Sequence, residues 1–121
     1  MKKLLITLLL ISPFSFADWD DVYYCQMTTF SETTLEGKRT NYTLQKFTFK
    51  LDKTKNAMVF GKDGYFQDTV MELRENFSWP TIESWYADSQ FDSAYFDDGK
   101  FLYSSTVKFQ VMSISADCDK F

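Results

Sequence analysis

Short runs in which apolar and polar residues alternate are the sequence feature that most constrains this fold. The clearest run is QKFTFKLD, where Phe47, Phe49 and Leu51 recur at every second position. This period of two is typical of a half-buried β-strand. The polar turn DKTKN separates it from a second short run, AMVFG, and KDG separates that run from YFQDTVMEL. Aromatic residues, which favour strands, recur throughout, so the chain predicts an all-β domain.

A hairpin is predicted in the last third of the chain. The runs FDSAYF and FLYSSTVKFQV flank the dipeptide Asp98-Gly99, which tolerates the positive φ of a tight turn. Beyond Val111 the apolar positions shift by one residue, onto Met112 and Ile114. Because no turn residue accompanies the shift, it predicts a β-bulge or a sharp coil within one long strand.

Three further segments complete the predicted sheet. The runs from Val22 to Phe30 and from Thr40 to Leu44 are interpreted as strands. The segment 69–76 has two interpretations, because Thr69 and Glu72 fit a helix capping box although the surrounding strand spacing favours a strand. We therefore expect a single antiparallel meander of seven or eight strands, strongly curled or closed into a small up-and-down barrel. That architecture is lipocalin-like by analogy only.

Residues 1–17 are interpreted as a cleaved signal peptide, and residues 18–121 as one β-rich domain. MKKLLITLLLISPFSFA has two lysines, a short apolar run and small residues at Ser15 and Ala17, the layout of a secretory signal. No other apolar stretch reaches the length of a membrane span. The sequence thus predicts export by the general secretory route to the periplasm or the medium, and a soluble mature protein.

The two cysteines, Cys25 and Cys118, lie near opposite ends of the predicted domain. In an oxidising compartment, two cysteines and no others are expected to form one disulfide. Such a bond would close a loop of 93 residues and join the first strand to the last. The phase of the last strand places Cys118 on its apolar face, so we expect a partly buried bond with an architectural role.

Charge and composition exclude several classes of function. Without the signal the chain has eleven basic and seventeen acidic residues, a net charge of −6 and no basic cluster, which argues against nucleic-acid binding. Histidine is absent, which removes the usual general base and the usual zinc ligand. The segment from Asp52 to Asp63 has part of a calcium-loop spacing, but Ala57 stands in place of the required glycine, and a hairpin is preferred. No catalytic residue, metal ligand or cofactor is predicted, and the sequence leans away from an enzyme.

One aromatic segment is the candidate ligand or partner surface. FSWPTIESWY contains Phe77, Trp79, Trp85 and Tyr86 around a proline. Exposed Trp and Tyr rings could stack on a flat ligand or form an interface, whereas buried ones would only fill the core.

Two functions remain open at this point. The first is a small exported binding module that holds an unknown ligand, possibly apolar or aromatic, inside the barrel, since eight strands can enclose one small ligand. The second is a protein–protein interaction factor, such as an inhibitor, an adaptor or an envelope assembly factor. It would act through a sheet edge or through the segment from Trp79 to Tyr86. The sequence alone does not choose between them, nor does it define an oligomeric state.

Overall fold

A computed structural model of the chain describes residues 18–74 and 84–121. Within these residues the chain forms nine β-strands and no helix, which confirms the all-β prediction. The predicted signal peptide, Phe77 and Trp79 lie outside the described ranges. Nothing in the described ranges forms a helix long and apolar enough to cross a membrane. The strands are β1 (Val22–Thr34), β2 (Arg39–Asn41), β3 (Lys46–Asp52), β4 (Ala57–Phe60), β5 (Val70–Leu73), β6 (Trp85–Asp88), β7 (Asp92–Asp97), β8 (Lys100–Val107) and β9 (Gln110–Lys120).

Eight of these strands close into an antiparallel barrel, and β2 is an additional strand. From β3 to β9 each strand pairs with the next in sequence, and β1 pairs with both β3 and β9. The predicted meander and its closure into a small barrel are therefore confirmed. The segment DKTKN joins β3 to β4 as a hairpin, as preferred over the calcium loop.

Strand β1 belongs to two parts of the sheet. Its first half pairs with β3, ending with Gln26 opposite Lys46, and its second half pairs with β2, beginning with Ser31 opposite Asn41. The spacing from Gln26 to Ser31 in β1 equals the spacing from Asn41 to Lys46 in the other chain segment. The β2 strand therefore continues the register of β3 along one edge of β1. The other edge of β1 pairs with β9 almost throughout. The second half of β1 thus extends the sheet beyond the β3 side of the barrel.

A β-bulge at Thr28 divides the two halves of β1. Met27 lies opposite Ala116 and Thr29 opposite Ser115, which leaves Thr28 as an extra residue. The Ser115 hydroxyl is 2.7 Å from the hydroxyls of both threonines and so ties the bulge to β9. The extra residue changes which positions face inward. Tyr23, Cys25 and Met27 face the interior before the bulge, and Phe30 and Glu32 after it.

The predicted hairpin at Asp98-Gly99 is confirmed, but the predicted long strand after it is wrong. Asp98 and Gly99 have φ values of 50° and 77°, as a tight turn between β7 and β8 requires. The apolar phase shift near Val111 reflects a second hairpin, whose two-residue turn is Lys108-Phe109. Lys108 has a φ of 55°, which its sequence does not signal. The bulge itself lies in β1.

The segment around residue 70 is a strand only in part. Val70–Leu73 forms β5, with Met71 and Leu73 facing the core, so the helix interpretation is wrong for these residues. Residues 75 and 76 lie outside the described ranges. The strand predicted from Tyr65 onward is also wrong before Val70, because residues 65–68 form turns.

Phenylalanine rings fill the middle of the barrel. Five of them come from β3, β4, β7 and β8, are at most 3% exposed, and have ring centroids 5.0–6.0 Å apart in the contacting pairs. Phe66 enters this group from the β4–β5 loop, 4.6 Å from Phe60 and 4.8 Å from Phe47. Side chains of the protein itself therefore fill the middle of the barrel, the region in which the sequence leads us to expect a ligand. The five strand residues are Phe47, Phe49, Phe60, Phe96 and Phe101.

The cysteines lie directly opposite each other where the last strand meets the first. Cys25 pairs with Cys118 across β1 and β9, and their sulfur atoms are at disulfide distance, 2.05 Å. Both side chains are buried, with Cys118 9% exposed. A bond at this position links the two strands whose pairing closes the barrel.

Loss of this bond should destabilise the domain strongly. For a closed loop of this length the chain-entropy model gives about 4–5 kcal/mol of unfolding free energy. We expect reductant to lower the urea midpoint of the exported protein accordingly. A Cys25→Ala/Cys118→Ala double variant should have the lower urea midpoint from the outset, and reductant should not change it. Equal midpoints for the oxidised and reduced protein would contradict the architectural role.

Replacement of Phe66 should test whether a loop residue completes the core. We expect Phe66→Ala to lower the unfolding free energy by about 3–5 kcal/mol, as for other buried aromatic truncations. The matched control is Phe91→Ala, because Phe91 is also a loop phenylalanine but is 54% exposed. That control should change stability by less than about 0.5 kcal/mol. Chemical denaturation of both variants decides the point, and similar effects would show that Phe66 is not a core residue.

Candidate binding surface

The aromatic segment proposed from the sequence is only partly described. Phe77 and Trp79 lie outside the described residues, so their role stays a prediction. Trp85 begins β6 and points inward, where its ring makes an edge-to-face contact of 5.0 Å with Trp19. Its indole N–H is buried and meets no acceptor among the described residues. Tyr86 follows on the same strand and points to the opposite face, so these two rings do not share one surface.

Exposed apolar side chains concentrate at one end of the barrel, which we call the mouth. The mouth is formed by the loops 35–38, 42–45, 61–69, 89–91 and 108–109, and it lies opposite the end that carries the cysteines. Of the eleven large exposed apolar side chains in the described residues, six lie in these loops and a seventh, Val111, lies at the start of β9, just beyond the last loop. Contiguous exposed apolar surface is typical of interaction sites. The seven are Leu35, Tyr42, Leu44, Tyr65, Phe91, Phe109 and Val111.

The outer edge of β2 has main-chain groups without partners. The Lys38 carbonyl accepts a hydrogen bond from the Thr34 N–H at 2.9 Å, and the Tyr42 N–H donates to the Phe30 carbonyl at 2.8 Å. Because the bonded pairs of an antiparallel ladder alternate, the N–H and C=O groups of the intervening odd-numbered residues point away from β1. No other described segment bonds to these groups. Arg39 and Asn41 in β2 have outward main-chain groups, and the main chain of Thr43, just beyond β2, has no hydrogen-bond partner within the described residues. We call the segment 38–46 the free edge. Its unpaired main-chain groups lie before Gln45, because the Gln45 carbonyl accepts from Met27 of β1 and the Lys46 carbonyl lies against Gly64 of the β4–β5 loop.

Side chains along the free edge are cationic at its ends and apolar in its middle. Lys38, Arg39 and Lys46 are exposed, and none of them has an ion pair within the described residues. Between them Tyr42 is 40% exposed and Leu44 is 47% exposed. The net charge of the free edge is therefore positive, whereas that of the whole protein is negative.

Tyr42 is held in place by a hydrogen bond to the first strand. Its hydroxyl donates to the Glu32 carboxylate, and this bond is the main reason that the pKa of Tyr42 is raised. The Tyr42 ring also packs on Phe30, with centroids 5.1 Å apart. These two contacts fix the Tyr42 side chain against β1, and its ring stays partly exposed to solvent.

Two shallow depressions lie elsewhere on the outer wall. One, of about 380 Å³, runs over β9, β1 and β3 and includes Tyr24 and Asp117. Tyr24 packs on Phe121 and Asp117 bonds to Lys100 at 2.8 Å, so both polar and aromatic walls have internal partners. The other, of about 320 Å³, lies beside the β6–β7 loop and includes Tyr86 and Phe91. The first depression reaches Lys46 at the end of the free edge, and the second lies away from that edge.

The strand predicted from Thr40 to Leu44 is confirmed only at Thr40 and Asn41, because β2 ends at Asn41, and the sequence does not identify it as an edge. The residues Tyr42 and Leu44 carry no motif, and their exposure depends on which strands neighbour them. The available signal was the pair of cationic groups that brackets this run, since lysine is typical of sheet edges.

Comparison with known proteins finds no matching family model, no similar curated protein and no similar solved structure. Function must therefore be argued from the surface itself.

Amide hydrogen exchange should distinguish the two sides of β2. We expect the amides of Arg39, Asn41 and Thr43 to exchange fast, because they face solvent. Those of Thr40 and Tyr42 should exchange more slowly, because they bond to β1. Residue-resolved NMR measures all five in one experiment. Equal protection across the five would show that the edge is covered or that β2 does not form.

Proposed function

We propose that this protein is an exported binding module that recognises an extended segment of a partner protein by strand addition at the free edge. The observation that carries this proposal is the set of outward main-chain groups at Arg39, Asn41 and Thr43. A partner strand can satisfy such groups, and strand addition is a recurring mode of peptide recognition. The proposal takes the sheet-edge form of the interaction hypothesis over an interior ligand, because phenylalanine rings occupy the interior.

The side chains of the free edge indicate the chemistry of the partner. Cross-strand neighbours interact, and opposite charges on facing strands stabilise the pair. Lys38, Arg39 and Lys46 would face acidic residues, and Leu44 would face an apolar one. The expected partner segment therefore has an apolar centre and an acidic residue towards each end.

A second copy of this chain is disfavoured at the same edge in one register. Antiparallel pairing of two free edges about Tyr42 would place Lys38 of one copy opposite Lys46 of the other. Like charges directly opposite on paired strands are destabilising. That register is thus unfavourable for self-association, whereas a segment of opposite charge suits the same edge.

Export agrees with both the signal-like N-terminal segment and the cysteine pair in the fold. The signal-like segment 1–17 predicts passage through the general secretory route. A cysteine pair at disulfide distance suits an oxidising compartment such as the periplasm or the medium. We infer that the partner is met there.

The proposal is tested by blocking the free edge without unfolding it. Peptides selected from a random displayed library on the wild-type protein would serve as probes. Proline at position 41 removes an outward N–H and leaves the β1 pairing in place, as on other edge strands. We expect Asn41→Pro to keep the wild-type thermal midpoint and to weaken the selected peptides about tenfold or more, through one lost hydrogen bond and a steric clash.

Matched variants separate binding from stability. Thr40→Pro should instead lower the thermal midpoint, because it removes a bond to Glu32 of β1. Leu44→Thr should weaken the peptides, whereas Leu102→Thr should not, although Leu102 is similarly exposed on the outer wall of β8. Selected peptides that bind Asn41→Pro and Leu44→Thr as well as the wild type would refute strand addition at this edge.

A further inference from the structure

The mouth contains an unbroken arc of four aromatic rings. The Phe30 ring lies 5.1 Å from Tyr42 on one side and 5.2 Å from Tyr65 on the other, and Tyr65 lies 6.0 Å from Tyr103. Phe30 and Tyr103 are buried and form the base of the arc. Tyr42 and Tyr65 are 40% and 39% exposed, so their rings are open to a ligand.

A carboxylate stands at each end of this arc. The hydroxyl of Tyr42 donates to Glu32 at one end, and that of Tyr103 donates to Asp92 over 2.9 Å at the other. The Ser105 hydroxyl also lies 3.5 Å from Asp92. Burial, followed by the bond to Asp92, raises the pKa of Tyr103, so this hydroxyl stays a donor. Each carboxylate is thus held by neutral donors and keeps lone pairs for another ligand.

Both carboxylates face the mouth from one row of the sheet. Glu32 pairs with Met112, Met112 with Ser105, and Ser105 with Asp92, across β1, β9, β8 and β7. Both are partly buried, and neither forms a salt bridge within the described residues. A partly buried carboxylate attracts a positive charge more strongly than an exposed one, because the surroundings have a lower effective dielectric constant.

We propose that the mouth binds an organic cation, an ammonium group seated over the rings of Tyr42 and Tyr65 with Glu32 and Asp92 on its two sides. Aromatic faces attract cations, and grouped aromatic residues are the known recognition mode for substituted ammonium groups. The cation is either a small quaternary ammonium compound or the side chain of a lysine on a partner. This site is independent of strand addition, since it uses inward side chains and not the main chain of the free edge.

Tetramethylammonium chloride is the first probe, read by NMR on the rings of Tyr42 and Tyr65. We expect a saturable shift that sodium chloride at equal ionic strength and the neutral isostere tert-butanol do not produce. A parallel titration with Nα-acetyl-lysine amide distinguishes the two sources of the cation. Tighter binding of the lysine amide assigns the mouth to a partner's lysine, and tighter binding of tetramethylammonium assigns it to a quaternary compound.

Charge-matched variants complete the test. Asp92→Asn and Glu32→Gln keep an acceptor for the tyrosine hydroxyls and should each raise the Kd of the better probe about three- to tenfold. Asp119→Asn removes the same charge from the opposite end of the barrel and should leave the Kd unchanged. Tyr65→Leu removes a ring and should act like Asp92→Asn, provided its spectrum remains that of a folded protein. Equal binding of tert-butanol, no saturation by either cation, or an unchanged Kd in both carboxylate variants would overturn the proposal.

Discussion

The pairing of β1 with β9 is the constraint on which the rest of the structure depends. From β3 to β9 each pairing joins strands that follow one another in sequence, and β1 pairs with β3 across the segment that contains β2. The β1–β9 pairing instead joins the two ends of the domain, which carries the largest cost in chain entropy. Cys25 and Cys118 face each other within this pairing, so a bond between them offsets that cost where it arises.

The bulge at Thr28 divides the long strand β1 into two parts with different surroundings. Before it, inward positions of β1 join a closed ring of strands around phenylalanine. After it, β1 extends with β2, β8 and β9, and its inward positions carry Phe30 and Glu32 instead. The two ends of the barrel therefore differ in the side chains that they present. One end is closed by the cysteine pair and by Trp19 packed on Trp85, and the other end exposes polar and aromatic groups.

Local patterns predicted the parts of the fold that local physics determines. The alternation of Phe47, Phe49 and Leu51 predicted β3 with its buried face, and Asp98-Gly99 predicted a turn because both residues tolerate positive φ. The turn at Lys108-Phe109 was missed, since neither residue type favours it and the pairing of β8 with β9 imposes it. Phe66 was assigned to a strand because no periodicity marks a loop residue that inserts into a core. The free edge and the mouth depend on non-local neighbours, which the sequence does not display.

Both proposed sites lie away from the middle of the barrel. Phenylalanine rings pack that middle, and the wall is bonded strand to strand around the ring. Main-chain groups become available where β1 extends past β3, and inward side chains become available where the ring opens. Both conditions occur at the mouth. An extended segment on the free edge would pass close to the carboxylate of Glu32, because the Tyr42 hydroxyl bonds to it.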